Sequence, residues 1–173
     1  MTATIGPEAV TPHNLEAERA VLGAILVHGE RFPDVADCLA ADDFFRDAHR
    51  RIFSAMHGLA SDNQPIDGLT VKDRLAQRQE LEEVGGPAYL FSLADGVSRG
   101  SNVTAYAGII RDRAQRTRLI TALRRTLEAA EDSGLETRAV LDQAEREIFA
   151  VSQQHTTGDF VGADTLEIGR AHV

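Results

Sequence analysis

Two histidines and two acidic pairs are the groups of this sequence that come closest to a metal or catalytic site. His49 and His57 lie eight residues apart in one predicted helix, about 12 Å along its axis. Zinc ligands lie about 2 Å from the ion, so these side chains cannot share one, and a packing or capping role for His49 is favoured. The pairs Asp42–Asp43 and Glu82–Glu83 lie at predicted helix ends, where capping or solvated charges are expected. We therefore expect neither a metal site nor a catalytic residue.

Nucleophilic and nucleotide chemistry are equally poorly supported. Cys38 has no basic or histidine neighbour in sequence, which favours a small buried hydrophobic side chain over a nucleophile. As the single cysteine it cannot form an internal disulfide, in agreement with a reducing cytoplasm. A Walker A loop needs a lysine after glycine to reach the phosphates, but the only lysine, Lys72, lies between Val71 and Asp73. We expect no bound cofactor and no ATP hydrolysis by this chain.

The charge is acidic overall but unevenly distributed. A net charge of −9 argues against nucleic-acid binding over the whole surface, because affinity for phosphate comes largely from Lys and Arg. One segment nevertheless contains a single acid, Asp112, and six arginines: Arg111, Arg113, Arg116, Arg118, Arg124 and Arg125. These arginines form either a solvated helix face or a contact surface for DNA or an acidic partner.

The pattern of residues predicts an all-α fold with about five short helices in residues 14–99. Strand-like runs are missing, and apolar residues recur at steps of three and four. Asn14 is a predicted N-cap, another helix is predicted to begin near Asp42–Asp43, and Thr70 is predicted to cap the next. Gly85–Gly86 breaks the chain before a proline-initiated helix. The phenylalanines and Tyr89 are expected to fill the core.

A long helical hairpin is predicted over residues 100–153, broken at Ser133–Gly134–Leu135. Its first helix of about 30 residues would be roughly 45 Å long. The short helices can cover only part of such a hairpin, so some of its apolar surface is expected to contact another chain. The predicted subunit interface comprises Ile120, Leu123, Leu127, Ala130, Leu141, Ala144, Ile148 and Val151.

The ends of the chain differ in composition from the rest. Residues 1–13 are predicted to be a disordered arm, and residues 154–166 the start of an interdomain linker. Residues 167–173 resemble translation through a sequencing adapter, which predicts a non-native tail on a truncated reading frame. The alternative is an ordinary disordered tail. The sequence shows no apolar run long enough for a membrane span and no signal peptide. We expect a cytoplasmic protein.

Several short motifs follow one another in order over residues 12–151. They are Pro12–Glu18 with Val21–Ala24, Asp43–Phe45 with His49 and Ile52–Phe53, Pro65–Asp67 with Thr70–Val71, Gly85–Gly86 with Tyr89–Leu90, Asn102 with Tyr106–Ala107, and Ala144–Glu145 with Ile148–Phe149. Each motif is weak alone, but together and in this order they resemble the N-terminal domain of DnaB-type replicative DNA helicases. One departure is Phe45, where the family usually has tyrosine.

The resemblance implies a role as a scaffold domain. In that family the N-terminal domains pair through their hairpins, and three pairs form a collar on a hexameric ring. The collar docks primase and, in some bacteria, a helicase loader, while separate domains use ATP and Mg to move along single-stranded DNA. Arg116, Arg118 and Arg124 are the first candidates for a primase or DNA contact. The alternative is a free-standing helical adaptor or regulator that has the same fold and no motor.

Overall fold

The computed structural model describes residues 13–95, 97 and 102–156. Within these ranges every regular element is helical, which confirms the predicted fold class. Residues 1–12 of the predicted arm, residues 157–166 of the predicted linker and the predicted tail, residues 167–173, lie outside them. The α-helices are α1 (Leu15–Val27), α2 (Phe32–Ala36), α3 (Asp47–Ser61), α4 (Gly68–Gln77), α5 (Gly86–Ala94), α6 (Val103–Glu131) and α7 (Thr137–Thr156), with short 3₁₀ helices at Gly29–Arg31 and Ala41–Asp43.

Helix α1 begins as the sequence predicts. The Asn14 side chain accepts a hydrogen bond from the Ala17 N–H at 3.0 Å, which satisfies one of the backbone donors at the helix start. Its buried side presents Val21 and Leu22 to the core. Gly23 allows α1 to lie directly on α5, because a Cβ at that position would be only 1.9 Å from the Leu93 carbonyl oxygen.

Helix α3 begins later than predicted. Asp42 and Asp43 belong to the preceding 3₁₀ turn, where the Asp43 carboxylate accepts from the Ala40 N–H at 2.7 Å. The predicted start near Asp42–Asp43 is therefore wrong, although a capping role for Asp43 is confirmed. Phe44 separates the 3₁₀ turn from α3, because its backbone is extended and its ring is fully buried in the core. That ring lies 5.0 Å from the ring of Phe53, centroid to centroid.

The cap of α4 is also not the predicted one. Asp67 is the N-cap, and its carboxylate accepts from the N–H groups of Leu69 and Thr70 at 2.9 and 2.8 Å. Thr70 is the reciprocal partner, since its hydroxyl oxygen accepts from the Asp67 N–H at 3.0 Å. Thr70 is thus the third helical residue of a capping box rather than the cap itself.

The start of α5 follows the predicted glycine break. Gly85 has a φ of 106° and Gly86 a φ of 73°, a left-handed backbone that favours glycine. Pro87 then lies within the first turn of α5, where its missing N–H costs no helical hydrogen bond.

The expectation that the phenylalanines fill the core is only partly correct. Phe32, Phe44 and Phe53 are buried. In contrast, Phe45 and Phe149 are 45% and 63% exposed, and Phe91 is similarly exposed. Three phenylalanine rings that the sequence analysis predicted to be buried therefore lie outside the core.

The chain divides into two compact units, Met1–Thr117 and Arg118–Val173. Unit 1 contains the main hydrophobic core, which extends from α1 to the first half of α6 through Val103, Ala107 and Ile110. Unit 2 contains the second half of α6 and all of α7. Among the described helices, none combines the length and the apolar character needed to cross a membrane.

Candidate interaction surfaces

Unit 2 is a helical hairpin whose turn is stabilised locally. The Asp132 carboxylate accepts from the Gly134 N–H at 2.9 Å, and the Asp132 carbonyl accepts from the Leu135 N–H at 3.2 Å. This short turn between α6 and α7 reverses the chain. Arg125 on α6 and Glu147 on α7 approach to 3.8 Å, so the two helices lie side by side in this unit.

The predicted interface residues of unit 2 include some of its most exposed apolar side chains. Leu123 and Leu127 on α6 are 52% and 54% exposed, and Leu141 and Ile148 on α7 are 59% and 40% exposed. Ala130 is exposed, whereas the remaining three are partly buried: Ile120, Ala144 and Val151. Four large apolar groups of the predicted set thus face water when the chain is alone.

The register of α6 leaves its leucines outside. Ala122, one position before Leu123, is only 4% exposed. A small residue in the buried position permits close helix packing. Sequence reasoning missed three further exposed apolar residues of this unit: Leu119, Leu135 and Phe149.

The three candidate arginines do not share one environment. Arg116 belongs to unit 1 and forms an exposed ion pair with Asp112, one helical turn away, at 2.9 Å. Arg118 and Arg124 belong to unit 2, where Arg118 is partly buried and Arg124 exposed. Arg118 and Arg124 are separated by six residues, which rotates them about 120° from each other around the helix.

Beneath the surface of unit 1 lies a buried polar network that sequence reasoning did not find. Glu18 and His49 are 2% and 0% exposed, and the Glu18 carboxylate lies 2.6 Å from His49 Nδ1. The Tyr89 hydroxyl lies 2.7 Å from His49 Nε2 and accepts from Arg46 at 2.9 Å. Both ring nitrogens of His49 therefore have a hydrogen-bonding partner, Glu18 at Nδ1 and Tyr89 at Nε2.

This network joins helices that are distant in sequence. Glu18 lies on α1, His49 on α3 and Tyr89 on α5. Glu18 lies in the first turn of α1, where an acidic residue is favoured by the helix dipole whether it is exposed or buried. The packing role predicted for His49 is confirmed by its complete burial and by these contacts.

Glu83 and Cys38, two of the groups first considered for chemistry, make local contacts within unit 1. Glu83 forms an ion pair with Arg51 at 2.8 Å. Cys38 is partly buried, and its thiol donates to the Val35 carbonyl at 3.3 Å. Burial raises the pKa of the Cys38 thiol, and the nearby Arg111 charge opposes that effect only in part. In the part of the chain that the structure describes, no three His, Cys, Asp or Glu residues are placed to hold a metal ion.

The described residues thus form an all-helical fold that leaves large apolar side chains exposed on unit 2. The model of the DnaB-like helicase N terminal domain matches residues 10–112. The chain belongs to this family.

Relatives and solved structures agree with this assignment. Over 151 residues the chain is 40% identical to the replicative DNA helicase DnaB of Pasteurella multocida, covering 87% of this chain and 32% of that protein. The corresponding protein of Geobacillus stearothermophilus is 37% identical over 88% of this chain and 34% of its own length. The chain therefore spans about a third of these relatives. The N-terminal domain of DnaB helicase from Mycobacterium tuberculosis superposes with a TM-score of 0.76 and 33% identity, covering 80% of this chain and 98% of that one.

Proposed function

We propose that this chain is the collar domain of a hexameric replicative DNA helicase, which pairs with a second copy through its hairpin and docks primase. Family membership supports the assignment to a replicative helicase. The pairing proposal rests on the exposure of three leucines on unit 2, each more than half exposed: Leu123, Leu127 and Leu141. In the full ring, three pairs form the collar at the replication fork in the bacterial cytoplasm.

Pairing is favoured by the cost of leaving this surface in water. Fully burying an exposed leucine side chain stabilises by about 1.5–3 kcal/mol. The leucines of unit 2 are about half exposed, so covering each of them contributes roughly half of that gain. A two-fold interface uses the same patch on both chains, so each buried leucine counts twice. We propose that hairpin-to-hairpin pairing covers these side chains.

Light scattering on the purified chain tests the pairing. We expect a mass of twice the 18.8 kDa of one chain, falling towards one chain for Leu127→Asp, which places a charge in the apolar surface. Leu69→Asp is the matched control, because Leu69 is 59% exposed on unit 1, and it should leave the dimer unchanged. A dimer that survives Leu127→Asp would show that the pairing surface lies elsewhere. A monomer at every concentration would show that this chain does not pair by itself.

Primase docking is proposed from relatives. A DnaB-like replicative helicase and the N-terminal domain of DnaB helicase from Helicobacter pylori share this fold, and their structures are described with interactions with primase. We propose that one domain binds its cognate primase domain weakly and that a ring binds it more tightly, because a second contact then forms at high effective concentration. Exposed charges make such a contact salt-sensitive.

Calorimetric titration with the primase domain at low and high salt tests the docking. Arg116→Glu, Arg118→Glu and Arg124→Glu together should weaken binding. Arg78→Glu, Arg138→Glu and Arg146→Glu together are the control for net charge, because they change three exposed arginines outside the candidate set and alter the charge by the same amount. Unchanged affinity in the triple variant would exclude these arginines, and the absence of binding to an assembled full-length ring would exclude the partner. Binding of a helicase loader, where one exists, can be titrated in the same way.

The unwinding activity of the proposed parent belongs to a separate ATP- and Mg-dependent motor that acts on single-stranded DNA. Purified chain should show no DNA-stimulated ATP hydrolysis, and hydrolysis that is abolished by Lys72→Ala would contradict this expectation. The genomic sequence after the codon for Leu166 separates the two candidate proteins. A P-loop motif there supports the helicase, whereas an in-frame stop codon favours the free-standing adaptor.

A further inference from the structure

Unit 1 carries an exposed cluster of aromatic and cationic side chains directly above the buried network. The ring of Phe45 is 45% exposed and stacks on the ring of His13, with 4.0 Å between centroids and 6° between planes. The Arg46 guanidinium lies over the Tyr89 ring at 4.6 Å, and that of Arg19 lies 5.7 Å from the same ring. We call these five residues the Phe45–Arg46 surface.

The buried groups hold the backbone of this surface in place. The Glu18 carboxylate accepts from the N–H of Phe45 at 2.8 Å and, at 3.4 Å, from that of Arg46. From the other side, the Arg50 guanidinium donates to the carbonyls of Phe44 and Phe45 at 2.6 and 3.2 Å. A buried carboxylate is costly unless it is fully hydrogen-bonded. Here its hydrogen bonds go to the backbone of an exposed aromatic–arginine pair, which is thereby fixed before any ligand arrives.

The two arginines keep their charges available. Among the described residues, neither Arg19 nor Arg46 forms an ion pair with a carboxylate. The nearest acid in sequence to Arg46, Asp47, is paired with Arg51 at 2.7 Å. In a chain of net charge −9, two arginines stacked on one tyrosine without a carboxylate are a local site for an anion. Stacking restrains a guanidinium group without neutralising its charge. The side chain therefore loses little further conformational freedom when an anion binds.

We propose that the Phe45–Arg46 surface binds single-stranded nucleic acid, with Arg19 and Arg46 on the backbone phosphates and a base stacked on Phe45. A strand presents flat bases and phosphates alternately, which matches a flat exposed ring beside two guanidinium groups. An acidic peptide supplies negative charge, but planar groups only where it carries an aromatic residue. The site involves unit 1 alone and does not depend on the pairing or the primase docking proposed above.

Fluorescence anisotropy with a labelled short oligothymidylate and the whole chain tests the site. Two phosphate contacts predict that log K falls with log salt at a slope of roughly −1.4, since each contributes about −0.7 on a single strand. Phe45→Ala should weaken binding by about fivefold or more, the lower end of the range for one stacked base. Arg19→Gln with Arg46→Gln should weaken binding and flatten the salt dependence.

Matched controls are available on the same chain. Phe91→Ala removes a ring that is 46% exposed on α5, and Arg138→Gln with Arg146→Gln removes two exposed arginines of α7. Both controls should retain binding. Binding that survives the Arg19 and Arg46 changes would overturn the proposal, as would an oligothymidylate that does not bind. Selective binding of an acidic tyrosine-containing peptide in place of the oligonucleotide would also overturn it. Melting curves followed by circular dichroism confirm that each variant is folded.

Discussion

Removing the carboxylate of Glu18 should destabilise unit 1 far more than its place in the first turn of α1 suggests. Glu18→Ala leaves three donors without their acceptor: the N–H groups of Phe45 and Arg46 and the His49 ring. Glu18 is only 2% exposed, so water cannot replace the carboxylate unless the surrounding helices move.

The expected loss follows from these contacts. An unsatisfied buried donor costs about 1–3 kcal/mol, and His49 is completely buried. The two backbone donors lie nearer the surface, so water recovers part of their loss. One fully buried donor and two donors whose loss is partly recovered together amount to about 3–5 kcal/mol. We therefore expect the free energy of unfolding of unit 1 to fall by about 3–5 kcal/mol, a third or more of the stability of a typical domain.

Urea denaturation followed by tyrosine fluorescence measures this loss in unit 1. The chain has no tryptophan and two tyrosines, Tyr89 and Tyr106, and both belong to unit 1. The urea midpoint of Glu18→Ala should fall by at least about 1 M. Glu16→Ala is the control, because Glu16 is exposed in the same helical turn, and it should lose no more than about 1 kcal/mol.

A difference of less than about 1 kcal/mol between Glu18→Ala and Glu16→Ala would refute this account of the network. Glu18→Leu combined with His49→Leu gives a second measurement. Replacing both members of a buried polar pair by apolar groups costs much less than removing one. The double variant should therefore lose less stability than the two single variants together.

Further predictions concern single positions. Asp67→Ala should destabilise α4 by about 0.5–2 kcal/mol in thermal or urea unfolding, because two N–H groups lose their cap; a neutral result would exclude the capping box. Gly23→Ala should destabilise strongly, since its Cβ meets the Leu93 carbonyl oxygen. In contrast, Gly108→Ala should stabilise α6 by about 0.5–1 kcal/mol, because no atom beyond the neighbouring backbone of α6 lies within 4 Å of the added Cβ. The raised pKa of Cys38 leaves less thiolate near pH 8, so iodoacetamide should alkylate the folded chain more slowly than a free cysteine peptide. The same shift stabilises the fold below the ordinary thiol pKa, and the gain is lost as the pH rises through the folded pKa; alkylation as fast as in the peptide would contradict both expectations.

Local sequence signals predicted the elements that depend on local contacts. Asn14 and the Gly85–Gly86 break act on their own helix ends, within a few residues. The hairpin follows from continuous helical periodicity interrupted at one turn, and its helices end within a few residues of the predicted positions. Such features are determined by backbone hydrogen bonding and side-chain volume over one or two turns.

The helix starts that the sequence predicted wrongly are those set by a competing neighbouring residue or by burial in the core. Thr70 has the right side chain for a cap, but Asp67, three residues earlier, takes the position because its carboxylate reaches two N–H groups. Phe44 overrides the helical pattern at Asp42–Asp43 because burying its ring is worth more than one additional helical turn.

The sequence by itself determined the helical class, most helix ends, the long hairpin and the family, because these are encoded in residue types at short spacing. Only the tertiary structure decided which polar groups are buried and which aromatic rings are not. Glu18, His49 and Tyr89 meet across intervals of 31 and 40 residues, and no periodicity relates positions on three different helices. The exposure of Phe45 likewise depends on residues that its own sequence pattern does not reveal. Its backbone is fixed by Glu18 and Arg50, and the ring points outward because the neighbouring Phe44 already occupies the core.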